Sequence, residues 1–229
     1  KLYEGVTLGD EGTVGLISYM RTDSVNLSAE AVAEIRDVIA RDYGTQAVPD
    51  KPNTYQTKSK NAQEAHEAVR PTSALRTPAQ MARYLDDDAR RLYELIWKRA
   101  VACQMVPATL NTVSVDLAAG SEHSFRVSGT TVVDPGFLAV YEEGKDAKAA
   151  EDDDEGRKLP AMKTGDRIPL DRIHADQHFT EPPPRYSEAS LVKALEEYGI
   201  GRPSTYASII ATLLFRKYVE LDSRRFKPT

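Results

Sequence analysis

The chain has 229 residues, is 41% hydrophobic and 28% charged, and carries a formal net charge of −5. That length suits one large domain or two to three small ones, and the apolar fraction supplies a real core, which excludes disorder throughout. No apolar run approaches the roughly 18 to 20 residues of a membrane span, and a single cysteine, Cys103, excludes an internal disulfide and a Cys-based zinc site.

These features favour a cytoplasmic protein, with Cys103 a buried thiol in an apolar helical stretch. The opening Lys1-Leu2-Tyr3-Glu4-Gly5 has neither a signal-peptide pattern nor an initiator Met, so the sequence reads as an excised interior piece. Residues 142–157 hold eight acids and three bases, which accounts for the whole net charge. Such a run reads as a solvated acidic loop, because it lacks the ligand spacing and turn glycine of a calcium loop. Net charge therefore neither supports nor excludes a nucleic-acid partner, and local basic positions must decide.

In chain order, residues 1–106 read as mostly helical. Val14 to Tyr19 is a short buried strand leading into a polar loop, Arg21 to Asn26. Ser28 caps a helix whose apolar face is Val32, Ile35, Val38 and Ile39, ending near Gly44. Asn61 and Glu64 suggest a capping box for a short helix that stops before Pro71, and Thr77, Pro78 and Gln80 open a long helix through Leu92, Ile96, Ala100 and Cys103. Residues 107–176 change period. Val113, Val115 and Leu117 alternate with polar residues, Ala119-Gly120 offers a turn to Phe125 and Val127, and a last strand is expected over Ile168 to Ile173. In 177–229, Pro182-Pro183-Pro184 is a stiff joint. Ser187 then caps a helix to Gly199, a turn at Ile200 to Pro203 leads to a helix capped by Ser204, and a short hairpin closes the chain. The expected fold class is α+β multidomain: a helical tyrosine-bearing domain, an antiparallel β arch and a winged-helix-like DNA-binding segment.

Three constellations carry candidate chemistry. In Tyr19-Met20-Arg21, an extended backbone puts Tyr19 and Arg21 on one face. A phenol of pKa about 10 is only about 0.1% ionised at neutral pH, and a guanidinium beside it would stabilise the phenolate and bind a phosphate oxygen. Aryloxide is also a better leaving group than alkoxide, which suits a reversible phosphodiester. A packed aromatic beside a surface ion pair would use the same residues. Second, on a helix His66 and Arg70 would share a face suited to a phosphate, whereas ordinary helical side-chain pairs would look alike. Arg70 stands where a zinc-protease helix needs its second histidine, which rejects that reading. Third, the Ile200-Gly201-Arg202-Pro203-Ser204 turn opens a helix whose free N–H groups favour an anion. Arg202 could neutralise it, and Arg216, Lys217, Arg224 and Arg225 form a basic rim. A capped helix with solvated cations is the plain alternative. Together the three point to a phosphate backbone and leave the reaction open.

Four blocks in order, GLISYMRTDSVNLS (15–28), QEAHEAVRPT (63–72), LYELIWKRAVACQM (92–105) and FTEPPPRYSEASLVKALEEYGIGRPSTYASIIATL (179–213), resemble the bacterial type IA DNA topoisomerases. They lean toward the topoisomerase I branch over topoisomerase III. The resemblance spans nearly the whole chain and is weakest over 108–174. It implies that Tyr19 attacks a DNA phosphodiester to give a 5′-phosphotyrosyl link, that Arg21 holds the phosphate and His66 assists, and that Ile200, Gly201 and Arg202 contact DNA, with Arg70 and Arg216 as further DNA contacts. It further implies strand passage and resealing without ATP on single-stranded or negatively supercoiled DNA. The family's Mg²⁺ belongs to a TOPRIM domain outside this chain, so no metal site is expected in these residues and relaxation by them alone is not expected. A non-catalytic single-stranded DNA-binding module is the competing class. Tyrosine recombinases and type IB enzymes would need an Arg/His set on another scaffold and a 3′ linkage.

Overall fold

A computed structural model describes residues 1–22, 24–56, 66–142 and 159–229. The proposed capping box at Asn61 and Glu64 and nearly all of the acidic run lie outside these residues. The chain begins with a two-residue hairpin pair, β1 (Val6–Thr7) against β2 (Thr13–Val14). Helix α1 (Ala29–Tyr43) follows, with the Ser28 hydroxyl accepting from Ala31 N and Gly44 at its end in left-handed φ. Its buried face, Ile35, Val38 and Ile39, is the one read from the 3.6-residue period, with Val32 only half-buried.

The single long helix expected after Thr77 is in fact two. A complete Thr77–Gln80 capping box starts α2 (Pro78–Met81), which tightens into a 3-10 turn over Ala82–Tyr84 and stops. Asp86 then caps α3 (Asp87–Ala102) by accepting from Ala89 N. The buried face of α3 is Tyr93, Trp97, Ala100 and Val101, not the expected Leu92 and Ile96, and Leu92 and Leu95 are exposed. The aromatic rings decide this rotation because each has a polar atom that finds a partner inside: Tyr93 Oη donates to Arg76 O at 2.6 Å and Trp97 Nε1 to Ala74 O at 2.9 Å. Burial pushes the Tyr93 phenol pKa well up, which keeps it a neutral donor. Cys103 is half-buried rather than sealed. Its thiol donates to Ala100 O at 3.0 Å, and burial raises its pKa.

Strands β3 (Thr109–Ala119) and β4 (His123–Asp134) form the expected hairpin, with Val115 opposite Val127 and Leu117 opposite Phe125. One face is a polar ladder, Thr112–Thr130 at 3.0 Å, Ser114–Ser128 at 2.9 Å and Arg126–Asp116 at 2.7 Å. The expected strand over Ile168 to Ile173 is absent. These residues pair with no strand, and Ile168, Leu170 and Ile173 are exposed. Alternation supplies one apolar face but not a neighbouring edge to bond to, so among the described residues the arch region contains a single two-stranded sheet.

Helix α4 (Glu188–Glu197) is capped by Ser187 as expected, and α5 (Tyr206–Phe215) follows the turn. The cap residue of α5 is Thr205, one later than the expected Ser204. Thr205 Oγ1 is occupied by the turn itself, accepting from Arg202 N at 2.9 Å. Strands β5 (Val219–Asp222) and β6 (Arg225–Pro228) close the unit. The architecture is thus mixed helix and small antiparallel sheets, and among the described residues no helix is long and apolar enough to cross a membrane.

The two-residue loop between β5 and β6 puts both Ser223 (φ 50) and Arg224 (φ 64) in the left-handed region. Hairpins of this length favour Asn-Gly there, because a Cβ makes such φ costly by about 1–2 kcal/mol per residue. Replacing the pair by Asn-Gly is expected to raise the thermal midpoint of the chain, by about 1 kcal/mol of stability at this hairpin.

Candidate functional site

The site begins where the chain leaves the core. Leu16 and Ile17 are buried, Tyr19 is 44% exposed, and Ser18 is the pivot between them. Residues 15–18 lie antiparallel to residues 68–72, with Ile17 opposite Pro71. Thr72 N donates to Leu16 O at 2.9 Å and Ser18 N to Arg70 O at 2.8 Å. The Ser18 hydroxyl completes the junction, donating to Ala68 O at 2.7 Å while accepting from Arg70 N at 2.9 Å. One serine therefore meets three polar groups of the peptide 68–70.

This pairing corrects the expected helix. Residues 66–71 are not helical, so His66 and Arg70 do not sit at i,i+4 on one helical face. The segment is held open because its N–H groups bond to the chain fifty residues earlier rather than to its own carbonyls. Ala68 N also donates to Asn26 O at 2.7 Å.

The pairing brings His66 to Tyr19. Their ring centroids are 5.5 Å apart with planes tilted by 34°. Tyr3 also meets Tyr19, in an edge arrangement at 5.4 Å and 69°. Arg21, two residues on, is half-buried and its Nε is shielded from solvent. The phenol thus lies at the surface with an imidazole as ring neighbour and a guanidinium following in the chain.

Arg70 is not turned outward. Its guanidinium clasps Glu67 through two hydrogen bonds, 2.7 and 3.0 Å, and donates a third to Pro71 O at 2.9 Å. Glu67 also accepts from Ser28 N at 2.8 Å, so it ties the start of α1 to the segment that carries His66. Burial would raise the Glu67 pKa, but the Arg70 hydrogen bonds and charge and the Ser28 N–H outweigh it and leave the carboxyl below its ordinary value. Arg70 therefore serves the shape of the site directly. The Glu67–Arg70 pair spans three residues and so leaves a local trace in the sequence, whereas Ser18 and Tyr3 meet partners no local pattern indicates.

The third constellation belongs to the α4–α5 turn. Gly199 and Gly201 have φ of 69° and 75°, and a Cβ on Gly201 would come within 2.9 Å of Ile209 Cδ1 and 3.1 Å of Thr205 Oγ1. The turn consequently requires glycine at 201 and displays Ile200 and Arg202 to solvent. Arg216 caps the far end of α5 and is exposed. Among the described residues Arg202, Arg216, Lys217 and Arg224 make no ion pair, unlike Arg41, Arg70, Arg90 and Arg126 elsewhere in the chain. Exposed Tyr198, Phe215 and Tyr218 stand among these cations in the sequence, a feature the charge reading missed. No described hydrogen bond or ring contact links Tyr19 or His66 to this turn.

The depressed Glu67 pKa fixes a sign. A carboxyl held lower in the folded chain than in the unfolded one stabilises the fold above the ordinary glutamate range, about pH 4.3, and that contribution drains as pH falls through the folded value. Glu67→Gln is expected to lower stability by about 1–3 kcal/mol at neutral pH, the range for charged hydrogen bonds. Denaturant titrations at a series of pH values should show the gap to the unmodified chain closing below about pH 4.

A family model described as DNA topoisomerase matches residues 1–229. The chain is 77% identical to the DNA topoisomerase 1 of Xylella fastidiosa strain 9a5c, over all of this chain and 28% of that protein. It is 52% identical to the DNA topoisomerase 1 of Rickettsia felis, again over the whole chain and 29% of the relative. Among solved structures, full-length topoisomerase I from Thermotoga maritima superposes with a TM-score of 0.75 at 32% identity, covering 100% of this chain and 35% of that one. The chain spans a little over a quarter of the length of the curated relatives it matches.

Proposed function

This chain belongs to the DNA topoisomerase family, and on that premise we propose that it carries the nucleophile of a type IA enzyme, Tyr19. The observation that supports this most is the placement of the Tyr19 phenol: at the surface, ring to ring with His66, and two residues before a half-buried arginine. The Tyr19 oxygen attacks a backbone phosphorus, the new aryl O–P bond forms, and the bond to the 3′-oxygen breaks. The phenol proton goes to solvent or to His66, and the leaving oxygen takes up a proton to become the 3′-hydroxyl. Arg21 neutralises the charge on the phosphate in both directions. The ester keeps the phosphodiester energy, so resealing by the 3′-hydroxyl needs no ATP, and passage of the other strand between the held ends changes the linkage of the DNA.

The remaining parts of the reading concern binding. The α4–α5–β5–β6 order resembles a winged helix, and we assign its turn residues Ile200, Gly201 and Arg202, with Arg216 at the helix end, to the phosphate backbone of single-stranded DNA. Unpaired cations beside exposed aromatic rings support this, and they would support a non-catalytic DNA-binding module equally if Tyr19 were inert. Arg70, closed on Glu67, is assigned to holding His66 rather than to DNA. Among the described residues no group of three or more His, Cys, Asp or Glu could hold a metal ion. We assign the Mg²⁺ of the full-length enzyme to a TOPRIM domain outside this chain, and no step above runs through it. The proposed substrate is negatively supercoiled DNA in the cytoplasm.

Tyr19→Phe in the full-length protein tests the reading. Covalent capture of a 3′-labelled single-stranded oligonucleotide is expected to disappear while non-covalent affinity stays within about twofold, because only a hydroxyl is lost. Capture that survives the change, or an adduct that holds a 5′ label and releases the 3′ label, would contradict it. The chain by itself is expected to bind single-stranded DNA and to leave supercoiled plasmid unrelaxed.

A further inference from the structure

Tyr19 has two ring neighbours, and the chemistry above uses one. The other, Tyr3, is 43% exposed, so it is not there to fill the core. Its position is nevertheless tightly fixed. Leu2 is buried, and its carbonyl accepts from Leu16 N at 2.7 Å and Ile17 N at 3.4 Å. Gly5 N closes the turn on Lys1 O at 2.8 Å, and Lys1 Nζ meets Asp86 at the start of α3 at 2.6 Å. Opposite, a Cβ on Gly15 would lie 2.8 Å from Tyr3 O, so the backbone of residue 3 approaches the tyrosine-bearing segment as only a glycine permits. The segments carrying Tyr3 and Tyr19 therefore meet at one rigid junction, and their rings meet above it, edge to face.

A tyrosine on an irregular surface stretch has several staggered side-chain orientations open to it. Here two rings, Tyr3 at 5.4 Å and His66 at 5.5 Å between centroids, stand against the Tyr19 ring and restrict that choice. We infer that Tyr3 is a positioning residue that holds the Tyr19 ring in the orientation from which its oxygen reaches the phosphorus. The inference rests on Tyr19 being the nucleophile. Tyr3 acts through its ring: edge contacts between aromatics come from the ring quadrupole, which phenylalanine shares. Its hydroxyl has no part in the positioning.

The test is the rate of covalent capture of a 3′-labelled single-stranded oligonucleotide by the full-length protein, with non-covalent affinity and thermal midpoint measured on the same samples. Tyr3→Ala is expected to slow capture about 10- to 100-fold at unchanged affinity, since a displacement of about 1 Å at a reacting atom has that order of effect. Tyr3→Phe is expected to restore the rate. Tyr3→Leu, which keeps bulk and folding but lacks the ring, is expected to remain slow. Capture by Tyr3→Leu as fast as by the unmodified protein overturns the inference, as does a slow Tyr3→Phe or a loss of rate matched by an equal loss of affinity. Absence of any Tyr19-dependent adduct in the unmodified protein would instead remove the nucleophile reading and this inference with it.

Discussion

Two stretches of chain fifty residues apart are held edge to edge by Ser18, whose hydroxyl and N–H together meet three polar groups of the peptide 68–70. The rest of the site geometry follows from that contact. Burial of Leu16 and Ile17 fixes one side, and Pro71, also buried, fixes the other, so the pairing cannot slide without exposing apolar surface. Tyr19 and His66 then leave the junction at neighbouring points of the surface. Glu67 and Arg70 pair with each other, and Glu67 also accepts from Ser28 N, so the loop from residue 24 to 28 is tied to the same platform. The Tyr19 ring is large and 44% exposed, so without neighbours of this kind it would be free to turn.

The sequence made local features legible and non-local ones not. Caps at Ser28, Thr77 and Ser187 and the turns at Gly44 and Gly199 rest on interactions within a few residues, and each appears in the structure. The β3–β4 register follows from alternation and a turn. By contrast, His66 to Arg70 has the composition of a helix, and its extended form is dictated by an edge that only tertiary folding brings near. The face that α3 buries departs from its simple apolar period for a related reason: Tyr93 and Trp97 turn inward to reach carbonyls at residues 76 and 74, and those carbonyls belong to a turn with no periodicity. Tyr19 and Arg21 were visible as a chemical pair, but the third group at the phenol, Tyr3, stood in a stretch without any motif.

The C-terminal unit shows a different economy of charge. Residues 177–229 hold eight Lys or Arg and six Asp or Glu, against a chain that is acidic as a whole. In the helical part Lys1–Asp86 and Arg76–Glu11 join distant segments, whereas Arg202, Arg216, Lys217 and Arg224 make no ion pair among the described residues. Cations left solvated keep their counterions and can release them on meeting a polyanion. Under the proposed reading, binding and chemistry fall to separate sets of residues built on different principles: one a solvated basic surface, the other a packed junction.

The central physical claim is that the Ser18 hydroxyl holds the His66 segment against the segment that carries Tyr19. Magnetisation transfer between the ring protons of Tyr19 and His66, measured by NMR on the chain and on Ser18→Ala, tests it most directly. The account predicts cross-peaks between the two rings in the unmodified chain and their loss in Ser18→Ala, with amide shifts of α1 and α3 unchanged. Cross-peaks that persist after the hydroxyl is removed, or that are missing from the unmodified chain, would contradict it.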